Sequence, residues 1–452
     1  MGIKVTIIGG GSSMFVPDLF RRFLRAPCMS GGVVSLMDVD EQRLSVMDKL
    51  GRRLVDAEHA DLKIESTVNQ RESLTGADFV IVAISVGGMR SWEQDIEIPA
   101  RYGVFMHIAD SIGPGGIMRA FRNGPVLASI ACDVSEVAPG AWILNYTNPA
   151  TTMTMALQSV PGVNAASLCS CTWMPGNAAW IAERVGVRPE EIEMPPLVLG
   201  LNHCAGIFKL RLRDGRDALA LAREHVTEPI ERWALETYGM LPYCWAHWTE
   251  FFPQLQSILG HYEGRAQGLA MSYGRRVYVM EEQAARAQAW ADLAIRWTAD
   301  EVTEEISVAA LPHGPEDEGI EVVDVIQAIA ENRNQLFIVN TKNGGAIDNM
   351  PEEAVVEVQA VVGGHGISTI RTGAAAEALA AHLRLHFAVQ SLTLEAALTG
   401  DETTAMQAFL HDPLLMARLD LDQTRDLFRE MMDANRDFLP QFAGGGVRDL
   451  AR

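Results

Sequence analysis

The chain opens on an apolar, β-branched run, "KVTIIGGG", followed by residues with helical spacing in "FVPDLFRRFL". A continuous apolar run closed by glycine marks a strand buried on both faces. The pattern repeats: "VVSLMDVD" gives a second strand, "GADFVIVAISVGG" a third, "AWILNYTN" a fourth and "NAASLCS" a fifth. Helical patterns of roughly 10–20 residues separate them, and such alternation predicts an α/β fold, a Rossmann-like doubly wound parallel sheet. Ligands of these sheets bind beyond the carboxyl ends of the strands. The residues that follow each strand therefore become the candidates: Gly87, Gly88, Asn148 and Cys169.

After about residue 210 the alternation stops. "DALALAREHVTEPIERWALETYG" and "RRVYVMEEQAARAQAWADLAIRWTADEV" read as amphipathic helices, and "LFIVNTKNGGAIDNMPEEAVVEVQAVVGGHGISTI" as strand–turn–strand. Long helices resume from Ala374 to about Asp437, and the final "FAGGGVRDLAR" reads as frayed. The expected organisation is a dinucleotide-binding half, 1–200, and a C-terminal α+β domain, 201–452, packed over the sheet's carboxyl edge. The second half would bring substrate and metal contacts and hold copies of the chain together as a dimer or tetramer.

Charge narrows the partners. With 58 acidic against 37 basic residues the formal net charge is −21, which disfavours nucleic acid and anionic membrane and leaves a small molecule. No apolar run approaches the ~18 residues of a membrane helix. The first strand begins too early for a signal peptide. Six cysteines are too sparse for a disulfide scaffold, so reduced thiols and a cytoplasmic location are expected.

Gly9 and Gly11 form a G-x-G turn continued by Ser12 and Ser13, suited to a pyrophosphate at a helix N-terminus, although Met14 fills the third fingerprint position. Asp38, at the end of the second strand, is placed to accept from ribose hydroxyls and favours NAD over NADP. Its plainer role is a helix N-cap, for which Asp40 is better placed. "SLCSCTW" (167–173) and "LGLNHCAGIF" (199–208) put thiols and a histidine after strands. Taken alone, they read as core cysteines and a core histidine, or as a metal site.

"HIADSIGPGGIMRAFR" (107–122), "NYTNPA" (145–150), "LCSC", "GLNHCAG" (200–206) and "NTKNGGAIDNMPEEAVVEV" (340–358) occur together in one order. In that order and spacing the chain resembles the NAD- and metal-dependent glycosidases of glycoside hydrolase family four, nearest the α-galactosidase and α-galacturonidase-like branch. The resemblance runs from residue 3 to about 440. It implies a redox hydrolysis in which NAD⁺ takes a hydride from C3 of the sugar, a base removes the C2 proton, the C1–oxygen bond breaks, water adds and the hydride returns. A divalent cation, most often Mn²⁺, is implied near O2 and O3.

The resemblance further implies Cys169 and His203 as the metal ligands, and Asn148 and Asn202 among the sugar contacts. Asp110 falls in the pocket, and Tyr243, with His247 and Glu250 behind it, is the expected base. A tyrosine needs its pKa of ~10 lowered to act near neutrality. Ser170 stands where many relatives carry histidine, so the pocket should be roomier there. Cys171 is either an extra ligand or outside the site, and Cys204 is core. Arg90, Arg119 and Arg122 are candidate anion partners or ordinary helix charges. Asn343, Asn349 and His365 either reach the site or serve turns. The expected substrate is a small α-galactoside or hexuronide. The rival is a lactate- or malate-like dehydrogenase, which would accumulate NADH.

Overall fold

The structure, a computed structural model, describes residues 2–256, 284–285, 288–297, 306–308 and 321–443. Six parallel strands form its centre: β1 (Lys4–Ile8), β2 (Gly32–Met37), β3 (Leu62–Thr67), β4 (Phe79–Val82), β5 (Trp142–Asn145) and β6 (Asn164–Ser167). Their spatial order is β3-β2-β1-β4-β5-β6. The chain thus starts in the middle, winds one way, then returns to β4 and winds the other, and the switch point falls beside β1. Val5, Ile7, Val34, Leu36, Ile81 and Leu144 are fully buried within one cluster, which is why these strands read as unbroken apolar runs.

The second half does more than pack over this sheet. Strand β10 (Gln335–Lys342) joins β6 antiparallel, Asn340 opposite Ser167; β11 (Val355–Gly363) and β12 (Gly366–Thr369) then extend the sheet to nine strands. A separate three-stranded sheet contains β7 (Ile192–Leu201), β8 (Cys204–Leu212) and the short β9 (Leu241–Pro242). Where the sequence suggested an α+β domain packed over the sheet's carboxyl edge, its strand–turn–strand segment also joins the sheet of the first half. Helices Glu377–Thr399, Glu402–His411 and Leu421–Ala434 follow it. Of the helix expected over 275–302, residues 284–285 and 288–297 are described and all of these are helical; the rest, like most of the expected frayed tail, lies outside the described residues. No described helix is long and apolar enough to cross a membrane.

The Gly113–Val137 helix is buried along most of its length, because it runs between the sheet and the C-terminal helices. Arg122 on that helix is no solvated charge. Its guanidinium pairs with buried Asp95 at 2.6 and 3.0 Å and donates to Asn435 at 2.9 Å.

Candidate active site

The turn after β1 is built for close approach. Gly9 has φ +97°, and a Cβ there would lie 2.2 Å from the Ala83 carbonyl oxygen, so only glycine fits. Gly9 and Gly10 N–H both donate to the Met37 carbonyl, and Ser12 Oγ accepts from Met14 and Phe15 N–H. Asp38 accepts from Gly11 N–H at 2.9 Å and from Asp40 N–H at 3.0 Å. Asp40, not Asp38, caps the Glu41–Ala57 helix. A carboxylate with one N–H on each oxygen retains lone pairs for a ribose hydroxyl. Ser13 flanks the turn half-exposed, and Gly87 and Gly88 enter the next helix at positive φ. A Cβ on Gly87 would strike Ser91, whereas Gly88 faces open space.

Along the same carboxyl edge, Cys169 leaves β6 and His203 sits in a two-residue loop between β7 and β8, where Leu201 pairs with Cys204. His203 has φ +66°, uncommon for a residue with a side chain. The hairpin therefore fixes the imidazole's position. Cys169 and His203 meet in one cluster with Cys171 and Cys244, their ligand atoms all within 4.8 Å of one another. Cys204 points instead into a different apolar cluster.

A second grouping shares His203. Asp110 Oδ1 lies 3.6 Å from His203 Nδ1 and 3.5 Å from His247 Nε2, and the two imidazoles stack at 3.8 Å. Ser111 Oγ bridges Asp110 at 2.6 Å and His203 Nδ1 at 2.5 Å. Asn148 Nδ2 donates to Asp110 Oδ2 at 2.7 Å while its side-chain Oδ1 accepts from Ala150 N–H at 3.2 Å. Asn148 therefore faces the pocket with its amide nitrogen while its side-chain oxygen holds the backbone at the first residue of the Ala150–Gln158 helix, which Pro149 caps. Burial pushes the Asp110 carboxyl up, but His203 and His247 outweigh it and hold the group well below the usual carboxylate range. Burial likewise depresses His203, yet Cys169 and Asp110 raise it well above an ordinary imidazole. Anionic neighbours thus favour positive charge at this point, and a cation bound by His203 would have to replace the imidazole's proton.

The Asp110 loop is pinned from below. Glu250 Oε1 accepts from Ile108 N–H at 2.6 Å and from Ala109 N–H at 3.0 Å, with Ala109 at φ +60°. Burial pushes Glu250 up to about 7. Its native pKa thus lies above the unfolded value of ~4.3, so the native state binds the extra proton and stability falls as pH rises from about 4.3 to about 7. Glu250→Gln keeps the accepting oxygen. It should flatten that part of the stability–pH curve, worth on the order of 3 kcal/mol across the window. Urea unfolding of the metal-free protein at several pH values reads this directly; an unchanged slope would refute it.

Tyr243 departs from the sequence expectation. Its phenol is fully buried and donates to Glu357, whose other oxygen accepts from Asn202 at 2.9 Å and Asn340 at 2.8 Å. Burial and the Glu357 carboxylate push the phenol well above its usual pKa, opposite to the lowering a tyrosine base needs. Asn202 keeps a buried carbonyl oxygen with no hydrogen-bond partner among the described residues. Glu357 went unremarked in the sequence, although a lone acid inside the apolar "AVVEVQAVV" was a usable signal.

Other candidates scatter. Ser170 is half-buried and begins the short turn after Cys169. Arg119 is half-buried, with Asp110 close enough to attract its guanidinium and burial lowering its pKa. Arg90 is exposed on the Gly88–Arg101 helix. Asn343 and Asn349 bind loop backbone, and His365 is exposed at the turn between β11 and β12. The expectation of reduced cysteines fails at one pair: Cys171 and Cys244 form a disulfide, their Cα atoms 6.2 Å apart. Chain spacing could not reveal this, because folding brings together two segments far apart in sequence.

An alpha-galactosidase of Rhizobium meliloti is 29% identical over 450 residues, covering 97% of this chain and 90% of its own. An alpha-galacturonidase of Bacillus subtilis is 28% identical, covering 95% and 97%. Among solved structures, lplD of Bacillus subtilis superposes with a TM-score of 0.79 at 26% identity, over 95% of this chain and 99% of that one. A 6-phospho-alpha-glucosidase from gut microorganisms, solved in complex with NAD and Mn²⁺, shares the fold with a TM-score of 0.79 at 21% identity, over 98% and 100%. Residues 4–183 match the family 4 glycosyl hydrolases and residues 198–415 match the C-terminal domain of the same family, so the chain belongs to glycosyl hydrolase family 4.

Proposed function

We propose that the chain hydrolyses a small α-galactoside or hexuronide with NAD⁺ and a divalent cation of the Mn²⁺ type. The observation that carries this reading is the convergence of Cys169 and His203 at the sheet edge that also holds the glycine turn. When bound, NAD⁺ supplies a reversible hydride acceptor, and the cation supplies positive charge next to sugar oxygens.

The chain's own residues do the rest. Gly9 and Gly11 keep the turn bare of side chains so that a pyrophosphate can approach, Ser12 and Ser13 offer hydroxyls to it, Asp38 takes the ribose, and Gly87 and Gly88 let the cofactor pass. Cys169 and His203 hold the cation, with Asp110 and Ser111 fixing the imidazole through Nδ1. Asn148, Asn202 and Arg119 offer hydrogen bonds to sugar hydroxyls or a carboxylate, and Ser170 leaves room beside them. Tyr243 serves as the proton acceptor only by passing its own proton to Glu357, the group it already donates to.

The test is a screen of aryl α- and β-galactosides and galacturonides with NAD⁺ and Mn²⁺, following released phenol and NADH together. Phenol release that requires NAD⁺, stops with EDTA and leaves no net NADH is expected. Stoichiometric NADH would instead establish a dehydrogenase.

A further inference from the structure

Cys171 and Cys244 have no part in that mechanism, yet they stand against its metal ligands. The loop after β6 carries Cys169 and Cys171 two residues apart, and the segment after β9 carries Tyr243 and Cys244. All four candidate donor atoms, three sulfurs and one imidazole nitrogen, lie within 4.8 Å of one another. A tetrahedral zinc with Zn–S bonds of about 2.3 Å places neighbouring sulfurs about 3.8 Å apart, so these donors need only small shifts to enclose one ion. Cys169 and Cys244 are buried, and Cys171 is partly exposed.

We infer that the Cys171–Cys244 pair is a redox-controlled part of the metal site: reduced, it joins Cys169 and His203 in a closed three-thiolate, one-imidazole site for zinc-like cations. This rests on the assignment of Cys169 and His203 as metal ligands. With the disulfide formed, two protein donors remain and the other coordination positions stay open to water or sugar oxygens, as a catalytic site needs. With it reduced, four protein donors fill a tetrahedron and leave no position for sugar. Softness changes as well, since three thiolates select zinc over manganese.

The chemistry balances with an external thiol. A thiolate attacks the partly exposed Cys171 sulfur, the S–S bond breaks, and Cys244 leaves as thiolate. A second thiol then resolves the mixed disulfide, so two cysteines gain two electrons and two protons while two thiols become one external disulfide. Metal binding afterwards releases the thiol protons to solvent.

Co²⁺ bound to the full-length protein reports the ligand count without any turnover. The near-ultraviolet thiolate-to-cobalt band should grow about threefold on dithiothreitol treatment, in proportion to thiolates rising from one to three. Zn²⁺ affinity, measured by competition with a chromogenic chelator after the reductant is removed anaerobically, should rise by more than about 100-fold. A Cys171→Ser/Cys244→Ser double variant should show the one-thiolate band with or without reductant. An unchanged band in the reduced wild-type protein, which needs no variant to fold, overturns the inference, as does a three-thiolate band in the double variant. Failure of the metal assignment itself reads differently, as no thiolate band in either redox state.

Discussion

Cys169→Ala is expected to lower kcat/KM by more than about 100-fold, beyond what loss of an outer-shell partner of a metal ligand produces. The thiol comes directly from the carboxyl end of β6, where Asn145 bonds Ser167 Oγ at 2.8 Å and Asn340 of β10 pairs with Ser167 from the other side. Two strands thus fix the backbone that carries Cys169, and alanine removes the sulfur without disturbing them. NAD⁺ affinity should change less than about threefold, because the glycine turn and Asp38 belong to β1 and β2 on the far side of the switch point. Mn²⁺ affinity, read by electron paramagnetic resonance, should fall together with kcat/KM. A variant that retains activity within tenfold of wild type, or loses NAD⁺ and Mn²⁺ together, would contradict the assignment.

That the glycine turn and Cys169 lie along one sheet edge was legible in the sequence because buried parallel strands announce themselves as apolar runs, and the fold rule then places their carboxyl ends together. The same rule could not say where β10–β12 belong. An antiparallel strand joins the sheet through one edge pairing with β6, and a strand–turn–strand segment reads alike whether it builds its own layer or completes another. Pairings between distant segments were hidden for a related reason. Cys171 with Cys244, Tyr243 with Glu357 and Glu250 with the Ile108–Ala109 backbone each join positions with no common periodicity. Tyr243 shows the cost of reading a residue without its surroundings, since burial and then a neighbouring carboxylate reverse the expected direction of its pKa.

Charges on helices were the least legible of all, and Arg122 gives the largest expected effect on stability. The sequence offered it as an anion partner or a solvated charge; the fold buries it. Its guanidinium makes two bonds to Asp95, one to Asn435 and one to the Val86 carbonyl at 3.2 Å, thereby tying the Gly88–Arg101 helix and the C-terminal segment to the central helix. Arg122→Met keeps the apolar volume but strands the Asp95 carboxylate, whose pKa burial already raises. Removing one member of a buried pair typically costs about 3–5 kcal/mol. The double variant Asp95→Leu/Arg122→Met removes both charges and should recover most of that loss, because the uncompensated charge, not the missing attraction, dominates the penalty. Urea midpoints of the two single variants and the double variant decide it. If the double variant is no more stable than Arg122→Met, the bonds to Asn435 and Val86 hold the segments together and the ion pair does not.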